Sequence, residues 1–467
     1  MIETQGVAVD FELTPQQQAA YDQLLPFCAG KTDTGMATLE GYAGTGKTTL
    51  VGLMIRQLLG DDDEDIILTL LGLRVAVAAP TNKAVRVLRD ALVDAGVDPQ
   101  RVEFGSIHSF LGLQLKERED GSQECVPAGK ASLHLYDLVI IDECSMIDQD
   151  MMTMIATARR SARVLFVGDP AQLPPISSAQ GQPSPVFTHI NLRCVLTDVV
   201  RQARDNPIIR LSMTIRDHIE AGADIPVVTL AESLPVTYPA QAGIVGGGMG
   251  AAAAIAVDEI QSKRDARVIA YTNDRVLAYN RMIHHALHGN TICPFVAGEP
   301  VVAHSQFEAR DWDIEHGTPG RPRIIITSEE LEVISTEPMP HPMYADVPAH
   351  RIVLQQDDGN YVCAYIADDQ IRLNQEINRL FEQWRQAKAS KADDAKTYSG
   401  KAWGLRKAFA PLRHAYAITT HKSQGSTFDV VVVDFDDLAK MRSTFDRNRA
   451  LYVACTRSRE LLALVTA

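Results

Sequence analysis

The sequence has few cysteines, and none of them are paired in sequence. Cys28, Cys125, Cys144, Cys194, Cys293, Cys363 and Cys455 are odd in number, scattered, and include no C-x-x-C. That spacing argues against a disulfide framework and against a structural zinc site, and it suits a reducing compartment. No apolar run is long enough to cross a bilayer, and the N-terminal stretch does not read as a signal peptide. Positive charge is also in deficit, with a formal net charge of −14. Net charge is a property of the whole molecule, whereas binding depends on local field. From Arg379 to Arg413 there are nine Lys/Arg against three Asp/Glu, while acid is concentrated elsewhere, as in Asp61 to Asp65. What remains is an ordinary globular balance, 46% hydrophobic and 22% charged, over 467 residues. That length is enough for roughly three or four structural units.

Strands and helices alternate in the first third. Strands are expected at Ala37–Glu40, Val75–Ala79, Leu138–Ile141 and Val164–Val167, with helices from the Gly-rich turn to Leu59 and over Lys83–Ala95. Apolar strands alternating with helices predict a parallel sheet covered on both faces. The pattern returns late, with strands at Arg267–Tyr271, Ala415–Thr419 and Val430–Val433 and a helix starting at Asn448–Thr456. Two insertions interrupt it. Leu113–Val126 reads as a hairpin turning at Asp120-Gly121. Gly289–Ala410 holds β-rich segments at Pro300–Ala303, Arg323–Ile334 and Arg351–Ile366, a turn at Asp358-Gly359, and a polar helix over Asp369–Ala389, together a small barrel plus an arm. In the arm, Trp384, Tyr398 and Trp403 could stack on bases or pack its core. Gly246–Gly250 lacks a lysine and follows no clear strand, so it reads as a flexible lead into a helix. His284, His285 and His288 lie on a helical segment without nearby acids and read as surface residues.

The strongest local signal is Gly41-Tyr42-Ala43-Gly44-Thr45-Gly46-Lys47-Thr48, which fits G-x-x-x-x-G-K-S/T between a strand and a helix. Such a loop wraps phosphates with backbone N–H groups at a helix N-terminus, where the dipole favours anions. Lys47 is placed to reach the β- and γ-phosphates and Thr48 to ligate Mg²⁺. Leu138–Ile141 then delivers Asp142 and Glu143 to a strand's C-terminal end, where open α/β sheets bind ligands. Asp142 is placed to hold the metal, and Glu143 to deprotonate the attacking water. Together they define an NTP hydrolase.

Further motifs narrow the class. Gly168-Asp169-Pro170-Ala171-Gln172-Leu173-Pro174-Pro175 resembles motif III of superfamily 1 helicases, His421–Gly425 their motif V, and Tyr452–Arg457 their motif VI. Ala79–Ala84 resembles motif Ia, Leu13–Gln17 the adenine-reading Q motif, and Leu196–Gln202 motif IV. Ser106–Ser109 resembles the Thr-Ile-His element of the B-type, RecD-like branch. Within that branch the chain is similar to the Dda-like helicases. Its phosphate loop begins at residue 41, with no long N-terminal domain expected ahead of it, and Val268–Asn273 and the long insertion before motif V have Dda-like character.

The resemblance implies two RecA-like P-loop NTPase domains with parallel sheets, an inserted β-hairpin pin, and an inserted SH3-like β-barrel with an arm. The expected boundaries are 1–112 and 131–200 for the first domain with the pin at 113–130, and 201–288 and 411–467 for the second with the barrel and arm at 289–410. It implies ATP and Mg²⁺ as cofactors. ATP would be held by Gln17, Gly41, Ala43, Gly44, Thr45, Gly46, Lys47, Thr48 and Thr49 together with Gln424 and Gly425. Thr48 and Asp142 would hold the metal. Lys47, Glu143, Gln172, Arg201 and Arg457 would be catalytic, the arginines stabilising the transferring phosphoryl group. Thr81, Asn82, His108, Thr420, His421 and Lys422 would contact nucleic acid. The implied activity is ATP-dependent 5′→3′ translocation on single-stranded DNA with duplex unwinding. The implied partners are single-stranded and fork DNA, with a single-strand binding protein as a candidate. The expected protein is a monomer, off the membrane, in the cytoplasm of a bacterium or of a phage-infected cell. A single-strand translocase that displaces proteins and unwinds weakly, an RNA-directed ATPase, and a non-processive nucleotide switch are the competing readings.

The hairpin carries no aromatic side chain, and its tip from Lys116 to Glu124 has four acids against two bases. Such a tip would repel a displaced strand rather than stack on it. Replacing Lys116–Glu124 with a short Gly-Ser turn should abolish duplex unwinding and leave single-strand translocation within a few-fold of wild type. Stopped-flow unwinding of a 5′-tailed duplex beside a translocation assay reads this directly, and full unwinding by the trimmed protein would remove the hairpin from the mechanism.

Overall fold

A computed structural model of the chain describes residues 13–60, 72–117, 123–175, 182–198, 206–226, 230, 242–390 and 395–467. Two parallel sheets organise it. The first has strands β1 (Met36–Gly41), β2 (Val75–Ala79), β3 (Val102–Ser106), β6 (Leu138–Ile141), β7 (Arg163–Gly168) and β8 (Leu192–Leu196), in the order β3-β2-β6-β7-β1-β8. Its strands β2 and β6 are apolar at every position because helices cover both faces. In β6, Leu138 and Ile140 enter one core with Leu24, Leu50 and Met54, while Val139 and Ile141 enter the opposite core with Phe166 and Ile155. The alternation of side chains along a strand divides them in this way.

The second sheet has β9 (Ala242–Gly246), β10 (Ala266–Ala270), β18 (Ala417–Thr419), β19 (Phe428–Asp434) and β20 (Ser458–Thr466), in the order β18-β10-β19-β20-β9. Val431 and Val433 pack with the helices Pro207–Ala221 and Thr444–Cys455 on one face. Val432 packs with the helices Gly248–Gln261 and Asn273–His288 on the other. Every strand pairing among the described residues of both sheets is parallel, so each sheet presents its strand C-termini along a single edge.

The first insertion is a hairpin, β4 (Leu113–Glu117) paired antiparallel with β5 (Gln123–Pro127). The Asp120-Gly121 turn lies outside the described residues. The second insertion is a seven-stranded antiparallel sheet built from β11 (Pro300–Ala303), β12 (Phe307–Asp313), β13 (Thr318–Ile325), β14 (Glu330–Pro338), β15 (Ala349–Gln356), β16 (Tyr361–Ala367) and β17 (Leu412–His414). Its order, β13-β12-β16-β15-β14-β11-β17, has two ends, yet one core running from Phe295 through Val333 and Ile352 to Leu412 serves it. The arm is two helices, Gln370–Ala389 and Ala395–Ala408, sharing a core around Leu380, Phe381 and Leu405. Trp384, Tyr398 and Trp403 pack on that core, with Trp403 edge-on to Phe381 at 5.3 Å, so packing is their observed role.

Several expectations are corrected. The insertion runs past residue 410, because β17 pairs with β11, Val301 lying opposite His414. The helix expected to start at Asn448 already begins at Thr444, where the Ser443 side chain accepts from the Asp446 N–H. Gly246-Gly247-Gly248 does follow a strand, β9, and turns through left-handed backbone at Gly247 and Gly248 into a helix. All seven cysteines are free thiols, and no described helix is long and apolar enough to cross a membrane.

Candidate functional site

The turn after β1 is shaped by glycines where a side chain could not fit. Gly44 and Gly46 have φ of 80° and 78°. A Cβ at Gly41 would lie 2.7 Å from Thr45 Oγ1 and 3.0 Å from the Leu196 carbonyl. Thr45 Oγ1 donates to the Tyr42 carbonyl at 2.9 Å and locks the loop. The helix Lys47–Leu59 starts with neither a side-chain cap nor an acid in its first turn, so its N–H groups and dipole are free for an anion. Lys47 Nζ donates to the Gly41 and Tyr42 carbonyls at 2.7 and 3.1 Å, inside the loop. Thr48 and Thr49 sit half-buried on the first turn. Gln17 lies beneath the loop: its Nε2 donates to the Thr45 carbonyl at 2.9 Å and its Oε1 accepts from Thr14 N–H at 2.9 Å.

At the end of β6, Asp142 Oδ1 accepts the Glu143 N–H at 2.8 Å. Glu143 is held at φ 52°, a left-handed conformation that is strained for glutamate and that recurs at functional sites. Burial raises the Asp142 carboxyl against the Glu143 N–H and the charge of Lys47. Burial and the neighbouring Asp142 push Glu143 up to about 7, opposed by Arg457 and Lys47. These four charged groups therefore form one electrostatic cluster.

The next strand end, Gly168-Asp169, joins the two sheets. Asp169 is 1% exposed, and its Oδ1 accepts the Ala171 N–H at 2.9 Å. Its Oδ2 accepts the Tyr452 hydroxyl at 2.6 Å, and that hydroxyl accepts the Ala43 N–H at 3.2 Å. Tyr452 belongs to the helix Thr444–Cys455 of the second sheet, so one buried phenol ties the phosphate loop, motif III and motif VI together. Arg457 is 6% exposed, and its guanidinium is fixed by the carbonyls of Val453 (3.0 Å) and Ser426 (3.3 Å). Gln172 Oε1 is buried with no hydrogen-bond partner. Gln424 is buried beside Leu173, and Gly425 abuts Ala84, so motif V touches motifs III and Ia. Arg201 lies outside the described residues.

Sequence reasoning missed Tyr452 as a participant, although it is the one aromatic in Ala450–Cys455. It also missed Arg449, a 9%-exposed arginine lowered to about 10 by burial against the charges of Asp446 and Asp169. Arg216 was missed too. It stacks 4.0 Å over the Tyr42 ring of the phosphate loop, and Tyr42 in turn hydrogen-bonds Glu220.

The expected nucleic-acid residues divide. Thr81 is exposed and caps the helix Asn82–Asp94 by accepting the Ala84 N–H at 3.2 Å, and Asn82 is exposed beside it. His108 is half-buried and bonded to the Pro80 backbone, which brings motif Ia and Ser106–Ser109 together. Thr420 is a correction. It is fully buried and donates to the Ala270 carbonyl at 3.3 Å, so it anchors the turn and does not face a strand. His421 is half-buried, while Lys422 borders a cavity of about 580 Å³ that Arg413, Arg406 and His304 also line, between motif V, the inserted sheet and the arm.

Comparison with known proteins agrees with this layout. The AAA domain family matches residues 12–227 and the UvrD-like helicase C-terminal domain matches residues 414–465. The chain is 33% identical to the ATP-dependent RecD2 DNA helicase of Deinococcus radiodurans over 199 residues, covering 42% of this chain but only 23% of that protein. It is 25% identical to the ATP-dependent DNA helicase dda of Enterobacteria phage T4, over 96% of this chain and 98% of that one. The crystal structure of the Pif1 helicase from Candida albicans shares the fold, with a TM-score of 0.51 and 18% identity over 98% of this chain and 95% of that chain.

Tyr452→Phe keeps the ring's packing and removes the hydroxyl that satisfies both Ala43 and buried Asp169. Losing a buried hydrogen bond of this kind costs on the order of 2 kcal/mol. The value of kcat/KM for ATP should therefore fall on the order of tenfold, with the circular dichroism spectrum unchanged. Steady-state kinetics within twofold of wild type would reduce Tyr452 to a packing residue.

Proposed function

We propose that this chain, a relative of the RecD- and Dda-type superfamily 1 helicases, is an ATP-driven DNA helicase that moves 5′→3′ on single-stranded DNA and opens forks. The observation that carries the reading is the buried Ala43–Tyr452–Asp169 link. It ties the phosphate loop to a helix of the other sheet, so that nucleotide and domain arrangement must change together. The polarity rests on the family resemblance, as do action as a monomer, a cytoplasmic setting and cooperation with a single-strand binding protein.

The residues fit Mg-ATP. Asp142 is a half-buried carboxylate without an ion pair among the described residues, and Lys47 is satisfied only by loop carbonyls that phosphate oxygens can replace. Bound at Thr48 and Asp142, Mg²⁺ would neutralise charge on the phosphates. Lys47 exchanges its carbonyl partners for phosphate oxygens. Glu143, raised by burial into the range of a useful base, takes the proton of the attacking water. Arg457, and Arg201 on the family pattern, offset the charge that develops on the transferred group. Gln172, in the turn after β7, brings an unpaired acceptor and on the family pattern would sense the γ-phosphate and couple it to the nucleic acid. DNA would cross the exposed Thr81 and Asn82, His108, and the His421-Lys422 end of motif V. The aromatic-free hairpin keeps open the reading of a translocase that unwinds weakly.

Hydrolysis should be slow alone and rise strongly with single-stranded DNA, because closing the two sheets aligns Arg457 with the phosphate loop. Lys47→Ala should abolish it, and Glu143→Gln should bind ATP yet turn over slower by orders of magnitude. A base must be deprotonated to act, so kcat/KM should climb as pH rises through about 7, the position to which Glu143 is pushed. A basal rate indifferent to DNA, or wild-type turnover by Glu143→Gln, would sink the proposal.

A further inference from the structure

The histidines read from sequence as surface residues converge on a buried acid. His284 and His288 stand four residues apart on one face of the helix Asn273–His288, which belongs to the second parallel sheet. Glu299, where the chain enters the inserted sheet, is 1% exposed. His414, at the end of β17 where the chain leaves it, is brought alongside by the antiparallel β11–β17 pairing. His284 Nδ1 lies 2.5 Å from Glu299 Oε1, and His414 Nε2 lies 3.5 Å from Oε2. The donor atoms of His284, Glu299 and His414 all lie within 4.8 Å of one another. His414 Nε2 is buried and makes no hydrogen bond of acceptable geometry. Around this set, the Tyr416 hydroxyl donates to Glu299 Oε1 at 2.8 Å, and His288 Nε2 lies 3.4 Å from the same oxygen.

A carboxylate this deeply buried needs compensating charge. One protonated imidazole would balance the charge but would leave the second ring, its centroid 4.5 Å away, without a share in it. One divalent ion engages the carboxylate and both rings together, with the rings neutral as ligands. Tetrahedral zinc takes His and Glu ligands at about 2.0–2.2 Å, which separates ligand atoms by about 3.4 Å. The present spacings straddle that value. Tyr416 and His288 would then orient the carboxylate as outer-sphere partners. The cysteine spacing that argues against a structural zinc site does not bear on a His/Glu set.

We infer that His284, Glu299 and His414 bind a divalent transition-metal ion of the zinc class. The ion cross-links both connections of the inserted sheet to a helix of the second parallel sheet, and so fixes the insertion at its root. This inference is independent of the ATPase reading.

The test uses the full chain without an affinity tag, stripped with chelator and held in excess Mg²⁺, titrated with Co²⁺ and then Zn²⁺. One equivalent of Co²⁺ should bind with a visible tetrahedral absorption band that Zn²⁺ abolishes, and Zn²⁺ should raise the melting temperature. His284→Gln and His414→Gln should each weaken binding roughly tenfold or more, and His288→Gln by a smaller factor. His285→Ala, on the exposed side of the helix, should leave it unchanged. The absence of a stoichiometric cobalt band in folded wild-type protein overturns the inference without recourse to any variant. Equal affinity in wild type, His284→Gln and His414→Gln overturns it as well, leaving a proton-sharing His–Glu cluster.

Discussion

A buried phenol joins the second sheet to the phosphate loop of the first. The Tyr452 hydroxyl accepts from the half-buried Ala43 N–H of the phosphate loop and donates to Asp169, which is 1% exposed. Burying polar groups is tolerable only while each is hydrogen-bonded, and the cost of leaving one unpaired is several times the net gain of making the bond. Any movement of the second sheet away from the first therefore strands the buried Asp169 carboxylate and leaves the Ala43 N–H to find water. This makes the arrangement two-state in character: closed with all three satisfied, or open with water admitted to replace the phenol. Tyr42 adds a second attachment close by, with its ring beneath Arg216 and its hydroxyl on Glu220. The phosphate loop is consequently gripped from the other sheet on two sides, and a ligand that reshapes the loop must act on both grips.

The inserted sheet is not a passive appendage to this pair. Lys83, on the motif Ia helix, meets Glu330 of β14 at 2.5 Å, with 26% and 17% of the two side chains exposed, and Arg267 of the second sheet reaches the same Glu330 at 3.9 Å. Glu330 is thus shared by three units. Burial raises its carboxyl, but the charges of Lys83 and Arg267 more than offset this and hold it below the usual carboxylate range. The nearby Arg86–Asp357 pair, 40% exposed on both sides, is worth little. A relative shift of the parallel sheets must pull Lys83 and Arg267 apart, and the shared carboxylate can follow only one of them.

What the sequence made legible followed the physics of each signal. β2 and β6 were read to the residue, because their runs, Val75–Ala79 and Leu138–Ile141, are bounded sharply by polar residues and have no helical period. Lys47, Asp142 and Glu143 were legible because local spacing specifies their chemistry, Arg457 only through the family resemblance, and these four couple electrostatically. The errors share one cause, which is distance along the chain. Glu299 is fifteen residues from His284 and His414 is 130 away, so no local window joins them, and a helix bearing three histidines looked like surface. β17 was misassigned because its partner, β11, lies across the whole insertion. β9 was overlooked because Ala242–Gly246 contains two glycines, which weaken a strand signal that here is supplied by pairing with β20. Thr420 fits a phosphate contact by type, and only tertiary burial shows that its hydroxyl is already used.

The same distinction between local and global accounts bears on the proposed pairing of an acidic chain with an anionic polymer. The net charge of −14 is spread over a large surface, whereas Arg413, Lys422 and His304 crowd one cavity beside motif V. Burial holds Lys422 and Arg413 below their ordinary values, with Arg413 adding to the effect on Lys422. Burial, with the charges of Arg413 and Lys422, drives His304 down to about 4, so it is a neutral hydrogen-bonding ring at neutral pH. No ion pair to Lys422 or Arg413 is found among the described residues. Two crowded cations without a carboxylate are unfavourable in the protein by itself, and a phosphate chain relieves that repulsion while releasing its own counterions. Because screening falls off over about 10 Å at moderate salt, the distant acids do little to cancel the local field. On the proposed function, affinity for single-stranded DNA would be set by this groove and the exposed end of motif V, and the acidity of the remaining surface would reject non-specific contact elsewhere on the molecule.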